Sequence, residues 1–148
     1  MKQYSRVYAE IDLDAIAYNM QQKKKRIGGD ARLIAVIKTD GYGHGAVPIA
    51  EMFETVPYVW GYAVACTGEA EILRARGIRK PILVLGCVFP DEYETMVKND
   101  IRAAVYTEEM ARGMSEAAVK LNKTAYFHIK IDTGMGRIGF PVCDESAD

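Results

Sequence analysis

Five short apolar runs recur through this chain, each followed by a stretch of helical periodicity, and that alternation restricts the fold more than any other feature. The strand runs fall at residues 33–37, 59–64, 81–85, 102–106 and 125–131. Helical stretches lie between them at 46–55, 67–76, 91–99 and 108–122. A further helix at 13–26 precedes the first strand with Asp12 at its N-cap, and residues 7–11 have the pattern of a short strand of their own. Thr67 opens one helix and Gly77 closes it, Pro90 and Asp91 start the next, and Thr107 caps the last. Met110, Met114, Ala117, Ala118 and Leu121 of that last helix recur on one face, which is the pattern of core packing. Strand then helix, with near-continuous apolar strands, predicts an α/β fold in which a parallel sheet is covered by helices.

Two architectures satisfy that pattern: an open doubly wound sheet and part of a (β/α)8 barrel. The last strand favours the barrel. Phe127, Ile129 and Ile131 alternate with Tyr126, His128, Lys130 and Asp132, so one face is apolar and the other polar. In a doubly wound sheet helices cover both faces. In a barrel one face looks inward, where polar groups can serve a site. The expectation is an incomplete (β/α)8 TIM-type barrel of about five strands.

The run Leu33-Ile34-Ala35-Val36-Ile37 ends in Lys38, and Thr39-Asp40-Gly41-Tyr42-Gly43-His44-Gly45 follows at once. A lysine at a buried strand end is costly, because burial favours the free amine, and a free amine attacks carbonyls. Lys38 is therefore a candidate Schiff-base lysine. The plainer alternative is a strand-end lysine whose ammonium reaches solvent along its own stem. The loop adds weight to the first reading, because so many glycines are costly to order in a mere connector and allow close approach to a ligand.

Composition bounds the partners. The chain has 148 residues and a formal net charge of -1, with nothing that argues for nucleic acid or an acidic membrane surface. Its one basic cluster, Lys23-Lys24-Lys25-Arg26, falls where cations complement a helix C-terminus. No apolar run approaches the length of a membrane span, and only Lys2 precedes the polar opening, so no secretory signal is expected. Three widely spaced cysteines, Cys66, Cys87 and Cys143, suit reduced thiols in a cytoplasmic protein, and no metal-ligand spacing is present.

The segment from Val36 to Gly45 closely resembles the pyridoxal-phosphate attachment motif of bacterial alanine racemases, enzymes of the cofactor's fold-type III. Three more segments match that family in order: Ala9-Glu10-Ile11-Asp12-Leu13-Asp14-Ala15, Gly68-Glu69-Ala70, and His128-Ile129-Lys130-Ile131-Asp132-Thr133-Gly134-Met135-Gly136-Arg137-Ile138-Gly139. The resemblance implies a pyridoxal 5'-phosphate-dependent isomerase that interconverts L- and D-alanine by two-base proton transfer at Cα and supplies D-alanine for cell-wall peptidoglycan. It makes Lys38 both the cofactor anchor and one catalytic base. Tyr42 becomes a phosphate-side cofactor ligand and Arg137 the binding group for the substrate carboxylate. Lys130 corresponds to a lysine carbamylated in many relatives, where it orients that arginine; spacing alone favours an ion pair with Asp132 or with a neighbouring strand instead. Thr39 departs from the family, in which alanine is commonest at that place, and no effect on the chemistry is expected.

The resemblance also sets expectations about extent. Residues 1–148 correspond to the N-terminal part of the barrel domain, without the C-terminal β-domain that supplies the second base, a tyrosine, across a homodimer interface. The chain alone is expected to be inactive and to self-associate. Gly134-Met135-Gly136-Arg137-Ile138-Gly139 has the G-x-G-x-x-G form of a dinucleotide site, but Pro141 would disrupt the helix that such a site requires. Other readings are a serine-preferring racemase, a basic amino-acid decarboxylase of the same broad fold, against which the Asp40–Gly45 loop argues, and a non-catalytic fragment or cofactor-binding module.

Overall fold

The first helix forms where its cap and periodicity place it. In the computed structural model, which describes residues 6–142, α1 (Leu13–Ile27) begins at Asp12, whose carboxylate accepts from the Ala15 amide at 2.9 Å. The remaining elements follow as β1 (Leu33–Val36), a single turn α2 (Lys38–Tyr42), α3 (Ala46–Phe53), β2 (Val59–Val64), α4 (Thr67–Ala75) and β3 (Ile82–Val84). A 3-10 turn (Pro90–Glu92) leads into α5 (Tyr93–Lys98), then β4 (Ile101–Val105), α6 (Glu108–Leu121) and β5 (Phe127–Ile129). A small pair, β6 (Ile131–Asp132) and β7 (Phe140–Pro141), flanks the loop that carries Arg137.

Strand order decides between the two architectures. The five main strands lie in the order β1-β2-β3-β4-β5, and every neighbouring pair is parallel. A doubly wound sheet reverses its order at a switch point, whereas a barrel keeps sequence neighbours adjacent. The two faces agree with the barrel. Ala35, Tyr62, Val64, Ile82, Val84, Ala103 and Val105 join Ile49, Phe53, Leu73, Met96 and Met114 of the helices in one cluster. The opposite face holds a small separate cluster of Ala63, Leu83 and Ala104 with Leu85 against it, and no helix contributes to that cluster. Each large apolar side chain buried in the helix–sheet layer contributes about 1.5–3 kcal/mol.

The face without helices also carries polar groups. The Arg102 guanidinium lies 5.0 Å from the Trp60 ring centroid and 4.7 Å from that of Tyr126. His128 packs on Trp60 with centroids 5.7 Å apart. The alternation read along 125–131 is therefore present, with His128 turned to this face. Phe127 and Ile129, turned the other way, remain 40% and 65% exposed because β5 is the last strand of the sheet.

At the N-terminal ends of the strands Arg74 of α4 ties two loops together. Its guanidinium donates to the carbonyls of Ile78, Lys80, Asn99 and Asp100 at 2.7–2.9 Å. This converts four carbonyls of the loops before β3 and β4 into partners of one fork-shaped donor.

Several expectations need correction. Residues 7–11 form no strand; Val7 and Tyr8 are 83% and 70% exposed, and among the described residues no strand pairs with them. The helix expected at 91–99 opens as a 3-10 turn, with the Glu92 carboxylate accepting from the Phe89 amide at 2.8 Å. The last strand run is divided, because Lys130 separates β5 from β6. Cys143 lies outside the described residues.

Candidate active site

Lys38 sits just past the C-terminal end of β1. The strand ladder extends one residue beyond Val36, with the Ile37 amide donating to Ala63 O at 2.9 Å. The chain then turns with the opposite hand. Thr39, Asp40, Gly41 and Tyr42 have φ of 52°, 52°, 63° and 56°. A left-handed turn containing three non-glycine residues costs roughly 1 kcal/mol at each of them, and Thr39 is β-branched, the least tolerant kind. Gly41 is the position where a side chain has no room, since an added Cβ would lie 3.1 Å from the Ile49 side chain and 3.3 Å from the Ala46 amide.

Side chains from two other elements hold this turn. The Asp40 carboxylate accepts from the Ala46 amide at 2.8 Å, which caps α3. Glu69, in the first turn of α4, accepts from the Thr39 amide through Oε1 and from the Ala65 amide through Oε2, both at 2.8 Å. His44 folds back with Nδ1 3.0 Å from Gly41 O. The Thr39 hydroxyl donates to the carbonyl of Lys38 at 2.7 Å.

The candidate residues converge in part. A cavity of about 220 Å³ is lined by Lys38, Ala65, Leu85, Gly86, Cys87, Arg137 and Ile138, at the C-terminal ends of β1, β2 and β3. Lys38 and Arg137, from opposite ends of the sequence, therefore share one wall system. Gly86 is required for its closeness, since a Cβ there would lie 2.4 Å from Ala65 O. Tyr42 is exposed, with its ring centroid 5.9 Å from Lys38 Nζ. Lys130 is half-buried and is not among the lining residues; its backbone bonds to Val105 O and accepts from the Phe140 amide.

The expected ion pair of Lys130 with Asp132 is replaced by a loop anchor. The Asp132 carboxylate accepts from the amides of Gly136 and Gly134 at 3.1 and 3.0 Å. Those bonds hold its pKa below the ordinary range, and Lys130 adds only a weaker electrostatic pull. Asp132 thus fixes the loop that presents Arg137. Tyr106 is pushed up to about 12 by its hydrogen bond with Cys87, a residue of the cavity wall, and by burial.

Sequence reading did not single out Glu69 or Asp132 as working parts of the site. Glu69 lies within the Gly68-Glu69-Ala70 segment, yet its partners, Thr39 and Ala65, are backbone amides that only the fold brings to it. The left-handed hand of 39–42 was equally hidden, because three of the four residues are not glycine.

Residues 11–148 match the family described as alanine racemase, N-terminal domain. The chain is 49% identical over 142 residues to the alanine racemase of Clostridium tetani, covering 96% of this chain and 36% of that protein. It is 44% identical over 135 residues to that of Syntrophobacter fumaroxidans, covering 90% and 36%. The structure of alanine racemase from Clostridium difficile 630 in complex with cycloserine superposes with a TM-score of 0.93 at 41% identity, covering 98% of this chain and 40% of that one. The chain spans little more than a third of the length of these relatives, and its five-stranded sheet corresponds to the N-terminal part of their barrel. On the family match and these identities, this chain belongs to the alanine racemase N-terminal domain family.

Proposed function

We propose that this chain forms the cofactor-anchoring part of a pyridoxal-phosphate-dependent racemase that interconverts L- and D-alanine. The observation that carries the reading is the shared cavity of Lys38 and Arg137 at the C-terminal ends of the strands, the end at which barrels of this kind build their sites. The donor set suits the cofactor. A primary amine faces the cavity for an aldehyde, Leu85 and Ile138 offer apolar wall for a ring, and Arg137 and Tyr42 supply groups for anionic and phenolic oxygens. When bound, pyridoxal phosphate supplies the electron sink that makes a Cα proton removable.

The chain's own residues then have separate tasks. Lys38 Nζ takes or returns the Cα proton on one face of the substrate. Arg137 holds the substrate carboxylate with its planar fork, fixing which face meets Lys38. Tyr42 binds on the phosphate side, and Lys130, if carbamylated, orients Arg137. A racemase needs a second base on the opposite face, which the family resemblance assigns to a tyrosine of a later β-domain contributed by a second subunit. The whole protein is accordingly proposed to be a cytoplasmic homodimer that supplies D-alanine for the cell wall, with residues 1–148 as part of its barrel domain. The chain alone is proposed to be inactive and prone to self-association.

The test is to incubate the 148-residue chain with pyridoxal phosphate, reduce with borohydride and map the modified peptide. The expected result is a stable secondary-amine adduct on Lys38, lost in Lys38→Ala. The same unreduced sample, given L-alanine and followed by chiral chromatography, should form no D-alanine. Labelling confined to surface lysines would refute the role of Lys38, and D-alanine formation would refute the need for a second base outside the chain.

A further inference from the structure

We infer that Glu69 is a positioning residue for Lys38, holding both walls of the cavity through one carboxylate. The inference rests on the reading of Lys38 as the anchor lysine and adds the group that keeps it in place. Oε1 accepts from the Thr39 amide, the peptide N–H immediately after Lys38, and Oε2 accepts from the Ala65 amide, which belongs to a cavity-lining residue of the β2–α4 connection. The two amides come from different strand ends, so the carboxylate fixes the spacing between the Lys38 wall and the Ala65 wall.

The need for such a brace lies in the backbone. Thr39 is β-branched and left-handed, with Asp40 and Tyr42 strained beside it. A turn of that kind persists only when its surroundings hold it. Asp40 clamps its far end to α3 at Ala46, and Glu69 clamps its near end to α4. Release of the near end lets Thr39 relax to a right-handed or extended conformation, which redirects the adjoining Lys38. The first turn of α4 is also where the helix dipole favours an ionised carboxylate. Glutamine at this place keeps the shape of Glu69 but offers one acceptor oxygen, so one of the two amides meets a second donor and loses its partner.

The experiment uses the 148-residue chain and three variants: Glu69→Gln, Thr39→Gly, and the two combined. Site-resolved amide exchange is read at residues 39–43 and at Ala65, and Lys38 modification is read by pyridoxal phosphate with borohydride. In Glu69→Gln, exchange at whichever of the Thr39 and Ala65 amides meets the new NH2 group is expected to rise about 10-fold, in line with the loss of one charge-assisted bond. Lys38 labelling is expected to fall about as much relative to the surface lysines. Glycine at position 39 takes the left-handed conformation without strain, so labelling should recover in the double variant although the Glu69 carboxylate is still missing; a merely structural role would give no such recovery. Unchanged exchange at both amides in Glu69→Gln, or raised exchange with unchanged Lys38 labelling, or labelling that stays low in the double variant, overturns the inference. If wild type takes no label at Lys38, the functional reading fails instead, and the exchange at Thr39 and Ala65 still judges the brace.

Discussion

Replacing Arg74 by methionine should remove the main tie between the loops that feed β3 and β4. Methionine keeps much of the aliphatic stem, so the change isolates the guanidinium. Three of the four bonds, to Ile78, Lys80 and Asn99, are partly buried, and the fourth, to Asp100, is exposed. A buried hydrogen bond from a charged donor is worth about 1.5–3 kcal/mol. Because Arg74 is only partly buried, about 1 kcal/mol for each of the three partly buried bonds is the appropriate figure, for a total near 3 kcal/mol. That is a large fraction of the ~5–15 kcal/mol that stabilises an ordinary domain. With a urea dependence of about 2 kcal/mol per molar, the unfolding midpoint should fall by about 1.5 M. Arg74→Lys should lose roughly half as much, because one ammonium cannot reach carbonyls spread over two loops. Urea unfolding followed by circular dichroism measures both. A midpoint for Arg74→Met equal to that of wild type would refute the reasoning, and so would a lysine variant as unstable as the methionine one.

Two further outcomes follow from named contacts. Burial, and then the nearby Arg102 charge, lower the pKa of His128 below its ordinary value. The unfolded chain therefore binds this proton first, so the stability His128 contributes is fully present above the ordinary histidine pKa and is lost as pH falls through and below it. Urea midpoints should decline between pH 7 and 5, the decline should shrink in His128→Gln, and Arg102→Met should raise the His128 titration seen by NMR; an unmoved titration would refute the coupling. Gly86→Ala should separate the ends of β2 and β3, since its Cβ would lie 2.4 Å from Ala65 O. Overpacking of this kind costs about 1–3 kcal/mol, which unfolding would read as a lower midpoint, and an unchanged midpoint would show that the cavity wall yields freely.

The architecture was legible because it depends on local pattern. Apolar runs of strand length, caps such as Asp12 and Thr107, and helical periodicity in 108–121 are all short-range signals, and their alternation alone calls for a parallel sheet. Boundaries shifted by a residue or two because strand ends are set by the ladder, as where Lys130 divides β5 from β6. The supposed strand at 7–11 failed for a related reason: its pattern was adequate, but a strand also needs a neighbour.

The site was legible only in part. Lys38 and Arg137 stand out in the sequence by motif, one after an apolar run and the other in a glycine-rich loop. Their shared cavity depends on the β6–β7 loop reaching back to the C-terminal ends of β1, β2 and β3, which only the tertiary structure provides. The role of Asp132 changed from charge partner to loop anchor because the amides of Gly134 and Gly136 both turn to its Oδ1.

The sequence by itself determined the class of fold, the order of its elements and the chemistry available at the strand ends, since all three follow from residue type and spacing. Tertiary structure alone decided the left-handed turn at 39–42 and the carboxylate of Glu69 that braces it against Ala65. Local preference tolerates aspartate with positive φ but favours neither threonine nor tyrosine there. Such a turn exists only where bonds from distant elements offset its strain, and those bonds form only after the chain has folded.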